Sequence, residues 1–367
     1  MTPRTQRMVG FASFGAFVVV IAVLPFLVSD FKAREYAYVG IYLIALLGLN
    51  VLTGYTGQIS LGHGAFMAIG GYTTAILMTG NKQFGGPIPG GLKDVWTLPI
   101  AGLVAGLVGL AFGLPALRLS GLYLALATFA IAVAMPSSVK RFESFTGGGT
   151  GIQLFESKQL TGGITNVHVL GWSLTPNRWL YYLSWSIALL AFVVAWLIVR
   201  GRTGRAFRAV RDSEIAAVSS GISLARYKTL AFGISAAYAG VAGGLFAMAI
   251  AYVNPDTFPV LLSIYLLIGI VVGGLGGLSG LVVGAIFIQY LPLWAQGKDL
   301  GSVLPGFVKD ETQKAGGAAI VFGVVLILLM FVLPNGVSGI FRSVGQAIGA
   351  RRYSRPDSPP GQGEVPR

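Results

Sequence analysis

The sequence predicts an all-α polytopic membrane protein with about ten transmembrane or re-entrant helices. Hydrophobic residues make up 54% of the 367 positions, and the mean hydropathy is +0.74. Only 11% of the residues are charged, whereas soluble domains carry roughly a quarter. Apolar runs long enough to cross a bilayer as helices recur along the chain, without the short alternating segments typical of a membrane β-barrel.

Ten apolar runs mark the candidate spans in chain order. They lie at residues 10–29, 36–53, 57–79, 98–117, 119–139, 179–199, 229–251, 261–275, 278–295 and 318–340. The first run has the basic flank of a signal peptide, but it is long and lacks a small-residue cleavage site, so we expect an uncleaved span. The eighth run is short for a full crossing of the membrane. It fits one arm of a broken or re-entrant pair with the ninth.

Glycine is unusually frequent, with 53 residues, about twice its ordinary share. Several glycines stand four residues apart, which lets helix backbones approach closely. Such pairs include Gly102 with Gly106, Gly109 with Gly113, and Gly240 with Gly244. The run GGLGGLSG at residues 273–280 is denser than packing requires, and it predicts a helix break.

The even number of spans places both termini on the same side of the membrane. Lys and Arg are more frequent on that side than on the other, so the positive-inside rule makes both termini cytoplasmic. We divide the chain into a transmembrane domain, residues 1–345, and a polar Pro- and Gly-rich tail, residues 346–367, that we expect to be disordered. Within the first domain, residues 140–178 form an extracytoplasmic loop, and residues 200–228 form the longest cytoplasmic segment between spans.

Missing residues disfavour several classes of function. The chain has no cysteine, and its two histidines, His63 and His168, are far apart in sequence, so we expect neither a disulfide nor a metal site. It lacks a phosphate-binding P-loop and any catalytic Ser/His/Asp or paired-carboxylate constellation, which argues against an enzyme. The net charge of +13 forms no basic stripe with interleaved aromatics, so we expect lipid and not nucleic acid as a partner. No Asp or Glu falls within the candidate spans, which disfavours an ion-coupled carrier.

A polar stripe interrupts the apolar third span, in the segment GQISLGHGAFMAIGGY at residues 57–72. On a helical wheel the small and polar residues share one face. In lipid such a face must turn towards other helices or water, because an unpaired polar group there costs several kcal/mol. Two interpretations stay open: a packing seam in which Ser60 and His63 bond to a neighbouring helix, or the lining of a substrate path. The residues concerned are Gln58, Ser60, His63, Gly64, Met67, Gly71 and Thr74.

The cytoplasmic segment at residues 200–228 is predicted to form one amphipathic helix with Gly221 as its C-terminal cap. Its apolar face would hold Phe207, Val210, Ala217 and Val218. On charge alone, the helix could bind lipid headgroups. The alternative is a docking helix for a cytoplasmic partner, with small residues that fit a cleft. The candidate docking residues are Arg205, Arg208, Arg211, Asp212, Glu214, Ala216, Ala217 and Gly221.

Three separated motifs resemble the permeases of branched-chain amino acid ABC importers. The run EIAAVSSG at residues 214–221 resembles the EAA-type coupling motif of ABC importer permeases, and RAFRAVRDSEIAA with the later KTLAF, residues 228–232, looks like the branched-chain form. The run LNVLTGYTGQISLGHGAFMAIGGY at residues 49–72 is similar to the same family's signature, as is IGIVVGGLGGLSG at residues 268–280. The resemblance covers residues 36–340.

This resemblance implies a permease of the bacterial cytoplasmic (inner) membrane that works with a second homologous permease subunit, two cytoplasmic ABC ATPases and an extracytoplasmic solute-binding protein. The chain most resembles the LivM type, the subunit with the longer external loop. The partner ATPases would use the ATP, so no cofactor is expected on this chain. The docking residues would couple the chain to the ATPases, and the polar stripe would line the translocation path or pack around it.

Several alternatives stay open at this point. The expected cargo is a branched-chain, hydrophobic amino acid, but related permeases carry urea or short-chain amides. A passive channel or a stand-alone carrier is an alternative of another class, and so is a scaffold that anchors cytoplasmic partners. The coupling motif also departs from the general EAA pattern, because Ile215 separates Glu214 from the two alanines.

Overall fold

The computed structural model describes residues 18–80, 87–154 except 89, 167–169 and 172–295, with a few isolated positions elsewhere. Within these ranges, six helices are long and apolar enough to span a membrane, and shorter apolar helices accompany them. The predicted fold class, an all-α polytopic membrane protein, is confirmed. The tenth predicted span, 318–340, lies almost wholly outside the described residues, and the predicted tail, 346–367, lies entirely outside them.

The helices follow the order of the apolar runs. They are α1 Val18–Leu27, α2 Asp30–Leu49, α3 His63–Thr79, α4 Asp94–Ala116, α5 Gly121–Arg141, α6 Glu143–Thr146, α7 Pro176–Arg200, α8 Arg202–Asp212, α9 Glu214–Ser219, α10 Leu224–Ile250, α11 Val260–Gly273 and α12 Leu281–Ala295. A π-helical segment, Asn50–Tyr55, extends α2, and a 3-10 turn, Pro255–Thr257, precedes α11. Two antiparallel ribbons pair β1 Ile152–Gln153 with β4 Tyr252–Val253, and β2 Val167–Val169 with β3 Trp172–Leu174.

Helix α2 lies at the centre of the bundle, where most of its side chains are buried within the chain. It packs against α7, α10 and α12, while α10 packs along both α3 and α4. In a membrane the lipid is as apolar as the side chains, so close packing and interhelical hydrogen bonds hold helices together more than the hydrophobic effect does. The centre of this bundle therefore depends on how closely its backbones approach.

Glycines bring α3, α4 and α10 into close backbone contact. The four regularly spaced glycines of α4 all face α10: Gly102, Gly106, Gly109 and Gly113. On the other side of α10, a Cβ added to Gly243 would collide with the carbonyl oxygen of Met67 on α3. Packing through glycines four residues apart, as the sequence predicts, is confirmed.

The glycine-rich run at residues 273–280 separates α11 from α12, as predicted. Helix α11 ends at Gly273, and Gly274 and Gly276 adopt left-handed φ angles of +98° and +73°. The two helices run antiparallel, because Gly273 lies against Gly280 across the turn and Gly269 lies against Gly284. With its preceding 3-10 turn, α11 reaches 19 residues, so it is longer than the short run in the sequence indicates.

The third predicted span, 57–79, starts later than predicted. Helix α3 begins at His63, and residues 58–62 are not helical. Gly57 has a φ of +73°, which turns the chain after the π-helical segment. The helical-wheel position assigned to Ser60 is therefore wrong, because Ser60 precedes the helix.

Candidate functional site

The segment at residues 200–228 contains two short helices, α8 and α9, before α10 begins at Leu224, so the prediction of a single helix is wrong. Between α8 and α9 the backbone of Ser213 is extended, with φ −161° and ψ 116°. The Ser213 side chain accepts a hydrogen bond from the Ala216 N–H at 3.3 Å. It thereby caps α9 and satisfies one of the backbone donors that the first turn of a helix leaves free. This cap explains why the helix restarts there.

Gly221 ends the segment in a left-handed turn with a φ of +80°. The Gly221 N–H donates to the Val218 carbonyl and the Ile222 N–H donates to the Ala217 carbonyl, both at 2.9 Å. These two bonds define a Schellman motif, in which the left-handed position favours glycine because a Cβ would be strained there. The prediction that Gly221 caps the segment is confirmed.

Apolar side chains anchor α8 to one end of the helix bundle. Phe207 is fully buried, and its ring meets the Tyr227 ring edge to face with centroids 6.2 Å apart. Val210 and Ala217 are also buried. Phe207 belongs to a second apolar cluster, separate from the central core, that joins α8 to the π-helical segment and to four spans. Its buried members are Val51, Leu52, Tyr55, Ala116, Leu124, Val199, Phe207, Ala231 and Phe232.

Two charged side chains add polar anchors to the segment. Arg211 Nη1 donates a hydrogen bond to the Gly54 carbonyl at 2.6 Å. The Glu214 carboxylate pairs with the Lys228 ammonium of α10 at 2.7 Å, and the Lys228 side chain is only 8% exposed. Glu214 therefore pairs with a spanning helix and connects the segment to α10. A buried ammonium needs such a partner.

The outer face of the segment combines charges with exposed apolar side chains. Ile215 is 83% exposed and Val218 is 54% exposed, one turn apart on α9. Placing Val218 on the buried face was wrong, because the helical wheel ran through the break at Ser213. Sequence reasoning also missed Ile215, although an apolar residue among charged neighbours was a usable signal. The candidate docking residues exposed beside it are Arg205, Arg208, Arg211, Asp212, Glu214, Ala216 and Gly221.

The polar residues that precede α3 are buried and bonded locally. Gln58 Nε2 donates to Thr56 Oγ1 at 2.9 Å, and Ser60 Oγ accepts from the Gly62 N–H at 3.3 Å. His63, the first residue of α3, is fully buried, and its Nε2 lies 2.9 Å from the Ala45 carbonyl of α2. Since a carbonyl can only accept, Nε2 carries the proton.

The rest of the stripe contacts α10, α11 and the turn before α11. The Gly64 N–H donates to Ser263 Oγ at 2.9 Å, and a Cβ on Gly71 would collide with the Phe258 ring. Met67 and Thr74 are fully buried, and Thr74 Oγ1 has no hydrogen-bond partner among the described residues. The structure thus gathers the stripe into a seam inside the subunit. Its role in a translocation path stays a prediction.

Residues 35–334 match the family described as "Branched-chain amino acid transport system / permease component". The chain belongs to this family. The matched range contains both the polar stripe and the α8–α9 segment. The resemblance drawn from the three sequence motifs is therefore confirmed.

Curated relatives of this permease family support the assignment. The chain is 35% identical over 288 residues to the "High-affinity branched-chain amino acid transport system permease protein LivM" of Escherichia coli (strain K12), and 34% identical to LivM of Salmonella typhimurium. Each match covers 74% of this chain and 65% of the relative, slightly under two thirds of its length. The protein LivH of Escherichia coli (strain K12) is 25% identical over 310 residues, which cover 81% of this chain and 91% of LivH. No solved structure matches the chain.

Proposed function

We propose that the chain is a membrane-spanning permease subunit of an ATP-driven importer for branched-chain, hydrophobic amino acids. The observation that carries the proposal is the α8–α9 segment, which is anchored to the bundle on one side and presents Ile215 and charged residues on the other. Membership of the permease family supports the transport role. The chain itself is not an enzyme and needs no cofactor, because partner ATPases bind and hydrolyse ATP.

The proposed importer contains two related permeases, two cytoplasmic ABC ATPases and an extracytoplasmic solute-binding protein. The likeness of this chain to both LivM and LivH of Escherichia coli supports a pair of homologous permeases, with this chain as the LivM-type member. Each permease would bind one ATPase through its α8–α9 segment. The protein lies in the cytoplasmic membrane with this segment and both termini inside.

The way the α8–α9 segment is attached supports an alternating-access mechanism. Closure of the ATPases around ATP would move α9, and the ion pair between Glu214 and Lys228 connects α9 to the first turns of α10. Helix α10 packs against α3 at Gly243 with almost no space between the backbones, so a shift of α10 also moves the polar stripe. Packed helices move as bodies and not by gradual deformation, which suits a two-state gate.

The chemistry of the stripe and the similar proteins support an amino acid as the cargo. Its side chains are uncharged hydroxyl, amide, imidazole and thioether groups, which suit a small zwitterion. LivM and LivH are named as permeases for branched-chain amino acids, which favours this cargo. An uncharged stripe also suits urea or a short amide. Competition experiments can separate these cargoes. Unlabelled leucine, but not urea or acetamide, should reduce uptake of labelled leucine if the cargo is a branched-chain amino acid.

The docking role can be tested at Ile215 by co-purification from the native membrane in mild detergent. We expect P-loop ATPases to be recovered with the wild-type chain and with Ile215→Leu, and to be lost with Ile215→Asp. An aspartate would place a charge in an apolar contact without a partner. Because Ile215 is 83% exposed, the substitution should leave the folded chain intact. Equal recovery of ATPases with Ile215→Asp would contradict the docking role.

A further inference from the structure

Three places where regular α-helix stops lie next to each other at the end of the bundle that carries α8. They are the π-helical segment Asn50–Tyr55, the glycine turn between α11 and α12, and the end of α8. The Asn50 side chain is fully buried and bonds the turn twice. Its Oδ1 accepts from the Gly276 N–H and its Nδ2 donates to the Gly277 carbonyl, each at 3.0 Å. One amide therefore holds the backbone of two successive glycines of the turn.

Gly54 lies between Asn50 and Arg211. A Cβ on Gly54 would collide with Asn50 Oδ1 and would lie 2.7 Å from the Gly276 nitrogen, so a larger residue would displace the amide. The Gly54 carbonyl accepts the 2.6 Å hydrogen bond from Arg211 Nη1. Carbonyls at the end of a helix lack partners within it, and a guanidinium is a strong donor for them. Arg211 thus connects α8 to Gly54, which lies directly beside the Asn50 amide that bonds the turn.

Glycines lie against the Arg211 side chain on two sides. A Cβ on Gly57 would lie 3.4 Å from Arg211 Cγ, and a Cβ on Gly276 would lie 3.0 Å from Arg211 Nη1. Both glycines have a φ of +73° and belong to chain breaks, one after α2 and one between α11 and α12. Arg211 therefore reaches inward from the docking segment and touches two breaks at once.

We propose that Arg211, Gly54 and Asn50 form a relay that transmits movement of α8 to the α11–α12 turn and to the break before α3. The inference rests on the proposed function, since ATPases bound to α8–α9 would supply the movement. Glycine-rich turns change conformation at low cost. A movement of α8 that is passed through these hydrogen bonds should therefore shift the turn before it bends a helix. Arg211 and Asn50 act as positioning residues and touch neither the cargo nor ATP.

The first test uses the complete importer reconstituted with its ATPases, second permease and binding protein. Arg211→Ala, Asn50→Leu and the double variant are compared with Arg202→Ala, which removes an exposed arginine of α8 outside the relay. Because Arg211 is also a candidate docking residue, both activities are expressed per bound ATPase. On that basis we expect uptake and cargo-stimulated ATPase activity to fall at least about fivefold in each single variant. The double variant should be no worse than the poorer single variant, because both substitutions break one chain of contacts. Full stimulation in either single variant, or losses that multiply, would overturn the relay.

The second test reports movement of the turn directly. Leu275 lies in the turn and is 46% exposed, and the chain has no cysteine, so Leu275→Cys gives a single labelling site. ATP should change the rate at which a hydrophilic maleimide reacts with this site, and the change should disappear when Arg211→Ala is added. No ATP-dependent change in the wild-type background, or a change that survives Arg211→Ala, would refute the relay. Failure of the wild-type chain to bind ATPases would instead refute the proposed function.

Discussion

Loss of the Glu214 carboxylate should detach α9 from α10. In Glu214→Gln the Lys228 side chain, 8% exposed, is left without a counter-ion. Breaking a fully buried ion pair in this way costs about 3–5 kcal/mol, whereas an exposed pair is worth about 0–1 kcal/mol. Because the Glu214 side chain is 49% exposed, we place the cost between these limits, at about 1–2 kcal/mol. The ratio of attached to detached α9 should then fall by a factor of about 5–30.

Replacing the other member of the ion pair, Lys228, should have little effect on the attachment of α9. Lys228→Met removes the buried charge and keeps an apolar chain of similar length, and it leaves behind a carboxylate that water can reach. Replacing a buried charge by a well-packed apolar group is often neutral. The double variant Glu214→Gln with Lys228→Met should therefore be more stable at this contact than Glu214→Gln alone. A simple loss of one favourable bond would affect both single variants equally.

Hydrogen exchange followed by mass spectrometry measures this difference in the purified chain. The amides of α9 should exchange about 5–30 times faster in Glu214→Gln than in the wild type, provided that closing is fast compared with exchange. Exchange in Lys228→Met should stay close to the wild-type rate. Unchanged α9 exchange in Glu214→Gln, or equal acceleration in both variants, would show that the reasoning about the buried ammonium is wrong.

Three further predictions follow from the described contacts. Gly243→Ala should lower the free energy of unfolding in detergent by about 1–3 kcal/mol, because the added Cβ would collide with the Met67 carbonyl. Gly149→Ala is the control and should leave this free energy unchanged, because Gly149 has open space around it. Gly221→Ala meets no neighbouring atom but strains a φ of +80°, so α9 exchange should increase by the equivalent of about 1–2 kcal/mol, and unchanged exchange would contradict this. If the polar stripe lines the path, cysteines introduced at Ser60 and Met67 should react with a hydrophilic thiol reagent in at least one transport state of the assembled importer, and protection in every state would exclude that role.

The architecture of the bundle was largely predictable because membrane helices have strong local signals. Nine of the ten apolar runs coincide with described helices, since apolar length alone decides whether a helix can span. The break at residues 273–280 was predictable from glycine density, and the close approach of α4 to α10 from glycine spacing. All of these signals lie within about 20 consecutive residues.

The site was harder to predict because its contacts join distant parts of the chain. Asn50 makes two hydrogen bonds to the turn, and they join residues that are 226 and 227 positions apart in sequence. Nothing in the local sequence marks Asn50 as a partner of that turn. Ser213 was a usable signal, because serine is a common N-cap residue and here it caps α9. The apolar pattern continues through Ser213, and this made the two helices look like one. Lys228 resembled any basic residue at the start of a span, and only packing shows that it is buried and paired.

ATP-dependent uptake tests the central claim most directly. The chain, co-purified with its partners, is reconstituted into proteoliposomes with the binding protein outside and ATP inside, and uptake of labelled leucine, isoleucine and valine is measured. The proposed function predicts accumulation that requires ATP and is abolished when the ATPases are absent. Solute movement by this chain alone at the same rate, without ATP or ATPases, would contradict it and identify a passive channel or a stand-alone carrier.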